Sequence, residues 1–323
     1  MPTRALQILI GGAFTLAICG AQTAPTSYFD SFHSLGGWYA SGDGSTYNNL
    51  SGCVLKGPGA NVFCTGLIEL DATNGRVTLS GVVQKGTRYG SEIRLTAFQP
   101  GTEGTYAARV RFSQLVNSSK NDQASVRAFF TYSHPTTSPC IHMEHDFELL
   151  AGSSRVYSQQ WNINLKGDAK GPGDILTTTH DREGYCASQP PSQEPNVDPL
   201  ASIANVLGGD DFVTLVVTVQ CTSPGCSDSW YKADYWMVGS TGTTLYFGST
   251  TTPHPGITNL PAFFNVWWIQ PPAGKRQPSA NMAAQTMEID WFYWNAQPLS
   301  PQDAISRAGI CDKNGAQGVN ACQ

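Results

Sequence analysis

The sequence predicts an all-β protein, a two-sheet β-sandwich or jelly roll, on three observations. Segments rich in β-branched and aromatic residues alternate with clusters of Gly, Ser, Thr, Pro and Asn, which is how strands and turns are written. Helical periodicity is nearly absent beyond the N-terminus. The chain is also long enough, at 323 residues with only 13% charged and 11% aromatic, to bury a large core. Many strands in one domain require two packed layers.

In chain order, the strand candidates are Val77–Val83, Glu92–Ala97, Thr105–Phe112, Ser125–Tyr132, Ile141–Leu150, Val156–Leu165, Phe212–Gln220, Trp230–Val238, Thr244–Gly248, Ala262–Ile269 and Thr286–Trp294. Short helical turns are expected at Pro199–Leu207 and Pro301–Ala308, each opened by proline. The connection from Lys166 to Asp211 has no strong period; a loop of that length in a compact domain is generally a functional rim or disordered, and Cys186 within it favours a tethered rim. Residues 26–296 read as the main domain and 297–323 as a tail closed by a disulfide.

The first 21 residues read as a signal peptide: Arg4, an apolar run from Leu6 to Ile18, then Cys19-Gly20-Ala21 with cleavage after Ala21. Leu16-Ala17-Ile18-Cys19 also fits part of a lipoprotein box, but Ile18 is bulky for the position before a modified cysteine, so soluble secretion is expected. The apolar run is shorter than a membrane span, and no later segment supplies one. Of nine cysteines, eight remain after removal of Cys19. Three pairs are close in sequence and easily closed, so the expectation is Cys53–Cys64, Cys221–Cys226 and Cys311–Cys322, leaving Cys140 for Cys186. No paired CxxC or nearby His has the spacing of a zinc site. A formal charge of −5 offers no phosphate-neutralising surface, so nucleic acid is excluded as a partner and a neutral polar substrate is favoured.

The chemistry is concentrated in Cys140-Ile141-His142-Met143-Glu144-His145-Asp146-Phe147-Glu148. Side chains alternate along a strand, so Ile141, Met143, His145 and Phe147 share one face while His142, Glu144, Asp146 and Glu148 share the other. At roughly 3.3 Å per residue the backbones of Glu144 and Glu148 lie about 13 Å apart, and side chains leaning inward bring the carboxyl groups to about 5–6 Å. That is the separation of a retaining glycosidase pair. A solvated acidic strand is the plain alternative, but three like charges in a row with no interleaved Lys or Arg repel one another. Crowding has a chemical use, since it keeps one carboxyl group protonated as an acid while another stays ionised as nucleophile.

This run resembles the E-x-D-x-E signature of glycoside hydrolase family 16, the laminarinase and lichenase group on the concanavalin-A-like jelly roll. Ordered flanking landmarks share the resemblance: Tyr106-Ala107-Ala108-Arg109-Val110-Arg111 and Ala128-Phe129-Phe130-Thr131-Tyr132 before it, then Gln160-Trp161-Asn162, Phe264-Asn265-Val266-Trp267 and Met287-Glu288-Ile289-Asp290-Trp291 after it. The resemblance covers about residues 28–295. It implies that Glu144 is the nucleophile, Glu148 the acid/base and Asp146 a helper that hydrogen-bonds the nucleophile. It further implies a concave cleft faced by Arg109, His142, Gln160, Asn162, Asn265 and Trp267. Read as residues alone, Arg109 fits equally a cross-strand ion pair, Gln160 and Asn162 ordinary exposed positions, and Trp267 core packing, with Trp268 core-bound on the opposite face.

Several positions depart from the family pattern. His145 stands where an aliphatic residue is usual and reads as a hydrogen-bonded core histidine; His142 replaces a frequent aromatic; Ala107 stands where many relatives carry a substrate-contacting Glu. The implied activity is secreted, endo-acting, retaining hydrolysis of a β-1,3- or β-1,3-1,4-glucan. The alternatives are a transglycosylase and a non-catalytic carbohydrate-binding protein on the same fold. A monomer with a polysaccharide substrate and no membrane partner is expected. The mechanism needs no cofactor or catalytic metal, though some relatives carry a structural calcium near the position of Asp290.

Overall fold

The computed structural model describes residues 25–42, 45–47, 49–55, 61–112, 125–133, 143–150, 155–162, 211–224, 230–253, 258–268 and 282–321. Its strands are β1 (Ser27–Asp30), β2 (Trp38–Ala40), β3 (Ser45–Tyr47), β4 (Leu50–Leu55), β5 (Val62–Cys64), β6 (Ile68–Asp71), β7 (Arg76–Gln84), β8 (Thr87–Leu95), β9 (Gly104–Phe112), β10 (Ser125–Ser133), β11 (Met143–Leu150), β12 (Arg155–Asn162), β13 (Val213–Cys221), β14 (Trp230–Val238), β15 (Thr244–Pro253), β16 (Ala262–Trp268), β17 (Met282–Asn295) and β18 (Gly318–Val319). Helix α1 spans Pro301–Lys313. The all-β expectation holds, and the strands from β7 to β17 overlap the segments predicted for them, while β18 lies beyond the last of these. The short strands β1 to β6, laid down in Gly- and Ser-rich sequence, were not expected; the helical turn at Pro199–Leu207 lies outside the described residues.

Two layers make the sandwich, their ladders antiparallel apart from that of β5 with β8. Sheet A runs β6–β7–β17–β9–β13–β14–β15, with β1 and then β18 added beside the C-terminal half of β17. Sheet B runs β2–β8–β16–β10–β11–β12. Strand β8 belongs to both: Thr87–Tyr89 pair with β7, while Ser91–Arg94 pair with β16. Such a strand crosses from layer to layer at a corner of the sandwich. The β7–β8 hairpin turns on Lys85 and Gly86, both at positive φ (51° and 78°), the conformation a two-residue type I′ turn requires.

Between the layers lies an aromatic core. Phe264 stacks on Phe129 with centroids 5.0 Å apart, and Trp38 sits 5.5 Å from Phe264 and 5.4 Å from Phe292. These rings come from four strands of both sheets, so their burial fixes how the sheets stack. Trp268 is fully buried, as expected. Its indole donates to the Tyr89 carbonyl at 3.2 Å.

Within the C-terminal tail, α1 packs against the outer side of sheet A. Ser300 caps α1 by accepting from the Asp303 amide at 3.1 Å, Pro301 occupies the first turn and Lys313 the last. Ala304, Ala308 and Cys311 then pack on Ala107, Val216, Trp291 and Tyr293 from the outer side of sheet A. This accounts for the run Val213-Thr214-Leu215-Val216-Val217-Thr218-Val219, buried on both faces: Val213, Leu215, Val217 and Val219 meet the core, while Val216 packs with the helix. Thr218 satisfies its hydroxyl on the Leu299 carbonyl at 3.0 Å, just ahead of the helix. Cys53 and Cys64 form the expected disulfide across the β4–β5 ladder. Cys221 and Cys311 are also disulfide-bonded; Cys226 and Cys322, their expected partners, lie outside the described residues, as do Cys140 and Cys186.

Candidate active site

Strand β11 alternates as its sequence requires. His145 and Phe147 are each 1% exposed and turn inward, Phe147 against Tyr235 and Phe247 of sheet A. Burial holds His145 neutral, with a pKa lowered from 6.5 to about 3. Its Nδ1 is 3.1 Å from the Tyr235 hydroxyl. The expectation of a hydrogen-bonded core histidine is met. Glu144, Asp146 and Glu148 occupy the opposite face, the two glutamates half-buried and Asp146 buried.

Register carries this face across sheet B, because directly opposed residues of an antiparallel ladder share a face. One row runs Asp146–Phe130–Phe263–Arg94–Tyr39. A second runs Glu148–Ala128–Asn265–Glu92, and a third sets Glu144 beside Tyr132. Phe130 and Phe263 stack at 4.9 Å, and Tyr132 meets Phe263 edge-on at 5.9 Å. The carboxylate stripe is thus flanked by an aromatic floor, with Trp267 packed at its margin. Burial, together with the negative charges of Glu144 and Glu92, pushes the Tyr132 hydroxyl up to about 12, so it stays a protonated donor. Glu92 accepts from Ser41 Oγ at 2.7 Å. Asn265 is 7% exposed and its Oδ1 has no hydrogen-bond partner among the described residues.

Of the expected site residues, Asn265 and Trp267 therefore share the carboxylate face. Arg109 does not. It lies on β9 of sheet A, on the face turned away from both the core and sheet B, where it pairs with Asp290 and covers the Phe212 ring at 4.8 Å. Of the two readings of Arg109, the cross-strand ion pair holds: β9 and β17 are paired neighbours in sheet A. Ala107, on the same side, lies under α1 rather than beside a substrate. The ladder sets Gln160 opposite His145 and Asn162 opposite Met143, the core-facing positions of β11. Gln159 and Trp161 take the positions opposite Asp146 and Glu144 instead. The register therefore pairs the two expected residues of β12 with positions other than those of the carboxylates. His142 lies outside the described residues.

A calcium ion at Asp290 does not fit. A bulge in β17 leaves both Asp290 and Trp291 facing outward. There the Asp290 carboxylate is held by Arg109 and by Arg76 Nε at 3.3 Å. Arg76 also reaches Glu288 at 3.2 Å, and Arg111 pairs with Glu288. Three guanidiniums already neutralise the two carboxylates and would repel a divalent cation. Among the described residues no group of three His, Cys, Asp or Glu side chains has the arrangement to hold a metal ion.

No protein-family model and no curated protein matches the sequence. Solved structures do match. A Bacillus licheniformis β-glucanase superposes with a TM-score of 0.51 at 17% identity, covering 85% of this chain and 99% of that one. A native glycosidic hydrolase superposes with a TM-score of 0.51 at 16% identity, covering 87% and 100%. The chain has the β-glucanase jelly-roll fold. In this β-glucanase-type jelly roll, α1 is seated on the sheet opposite the carboxylates, so the tail leaves their face uncovered.

Sequence reasoning did not single out Glu92, Phe130, Tyr132 and Phe263 as site residues. Alternation within Ala128–Tyr132 already separates Phe129 and Thr131 from Phe130 and Tyr132. Which set accompanies the carboxylates is decided only by the β10–β11 register.

Proposed function

We propose that the protein is a secreted, retaining endo-β-glucan hydrolase acting on a β-1,3- or mixed-linked glucan. The observation that carries this reading is the placing of Glu144, Asp146 and Glu148 on one face of β11, beside an aromatic floor, while His145 and Phe147 anchor the strand in the core. Glu148 donates a proton to the leaving glycosidic oxygen as Glu144 attacks the anomeric carbon. Water, deprotonated by Glu148, then releases the glycosyl-enzyme with net retention. Asp146, between them, hydrogen-bonds the nucleophile. Because α1 immobilises the other sheet and the core locks β11, the three carboxylates are held on a rigid element, as positioning catalysis requires.

Phe130, Phe263 and Tyr132 supply flat apolar surface of the kind that sugar C–H faces cover, and the free Asn265 Oδ1 offers an acceptor for a sugar hydroxyl. The likeness of fold to a β-glucanase agrees with this substrate class. The test is incubation with laminarin, lichenan and a galactan panel, followed by a reducing-end assay. New reducing ends from a glucan are expected; activity confined to galactan, or none on any polymer, would contradict the proposal.

A further inference from the structure

The row that starts at Asp146 continues beyond the aromatic floor to the edge of sheet B, where it ends in Arg94 and Tyr39. Both side chains are exposed, Tyr39 to 48%, and the Arg94 guanidinium lies 5.5 Å from the Tyr39 ring centroid. Their neighbours in the same strands, Trp38, Ile93 and Leu95, are buried in the core, which fixes Tyr39 and Arg94 on the carboxylate face. Four strand spacings of roughly 4.8 Å place Tyr39 about 19 Å from Asp146.

Resting on the glucanase reading above, we infer that Tyr39 and Arg94 form an outlying sugar-binding position for the same glucan chain. The ring offers an apolar face to one pyranose, and the guanidinium, steadied over that ring, offers N–H donors to its hydroxyls. A cross-strand pair that merely protects the edge needs only its charge. Here the pair also adds aromatic area in line with Phe263 and Phe130, on the face that carries the acids. Because it is so far from Asp146, only a chain of several sugars reaches it. The pair therefore selects for long substrates and leaves the chemical step alone.

The test compares kcat/KM on the glucan polymer with kcat/KM on a short aryl β-glycoside. Tyr39→Ala and Arg94→Ala should lower the polymer-to-aryl ratio about five- to tenfold, the loss of one aromatic contact. Tyr39→Phe, which keeps the ring, should restore most of it. Equal losses on both substrates, or an unchanged ratio, would overturn the inference and leave the pair a structural one. Binding separates this result from the fate of the site itself. Glu144→Gln should be retarded in glucan-containing native gels, and adding Tyr39→Ala should reduce that retardation. Retardation of both proteins alike would remove Tyr39 while leaving the active site in place; no binding and no cleavage by the wild type would overturn both readings.

Discussion

His145 gives the fold a defined sensitivity to acid. Burial holds its pKa at about 3, against 6.5 in an unfolded chain, so unfolding takes up a proton at any pH between these values. Stability contributed by keeping this ring neutral is intact above pH 6.5 and is lost as the pH falls towards 3. At about 1.4 kcal/mol per pH unit, lowering the pH from 7.5 to 5 removes about 2 kcal/mol through this one group. His145→Leu removes the titration. It forfeits the contact with the Tyr235 hydroxyl, about 1 kcal/mol, but also a buried Nε2 that has no partner among the described residues. Denaturant unfolding of both proteins at pH 7.5 and pH 5 is the assay. The wild type should lose about 2 kcal/mol more than the variant over that interval. Equal losses would refute the argument, because every other titrating group is common to the two proteins.

Two further outcomes follow from the outer face of sheet A and from β4–β5. Since Arg76 and Arg109 occupy Asp290, neither a chelator nor added calcium should move the melting temperature, and a saturable rise with calcium would contradict this reading. Replacing Cys53 and Cys64 by Ala opens a link of sequence separation 11 and should cost about 3 kcal/mol in denaturant unfolding; a cost near zero would mean the reduced loop stays ordered.

The carboxylate stripe was legible because β11 packs one face in the core, which imposes a strict two-residue alternation on residues 143–148. The run Val213–Val219 was legible as a strand from its density of β-branched residues, though the reason both its faces are buried was not. The helix that covers its outer face was visible only as the short pattern from Pro301. What alternation leaves open is register and sheet membership. Arg109 lies on a strand of the other sheet, and Gln160 pairs with His145 rather than with Asp146. Both failures share a cause. Period two fixes relations within a strand, while pairing between strands far apart in sequence depends on turns and packing that no local pattern encodes.

The central claim, that Glu144 and Glu148 divide the chemistry between them, is tested most directly by azide rescue on an activated aryl β-glycoside. Glu148→Ala should still form the glycosyl-enzyme, since such a leaving group needs little protonation, and azide should trap it as the β-glycosyl azide. Glu144→Ala lacks the group that forms the intermediate, so azide should attack directly and give the α product. Asp146→Asn should lower the rate less than either. The opposite stereochemistry would exchange the two roles, and unchanged activity in all three variants would remove β11 from catalysis.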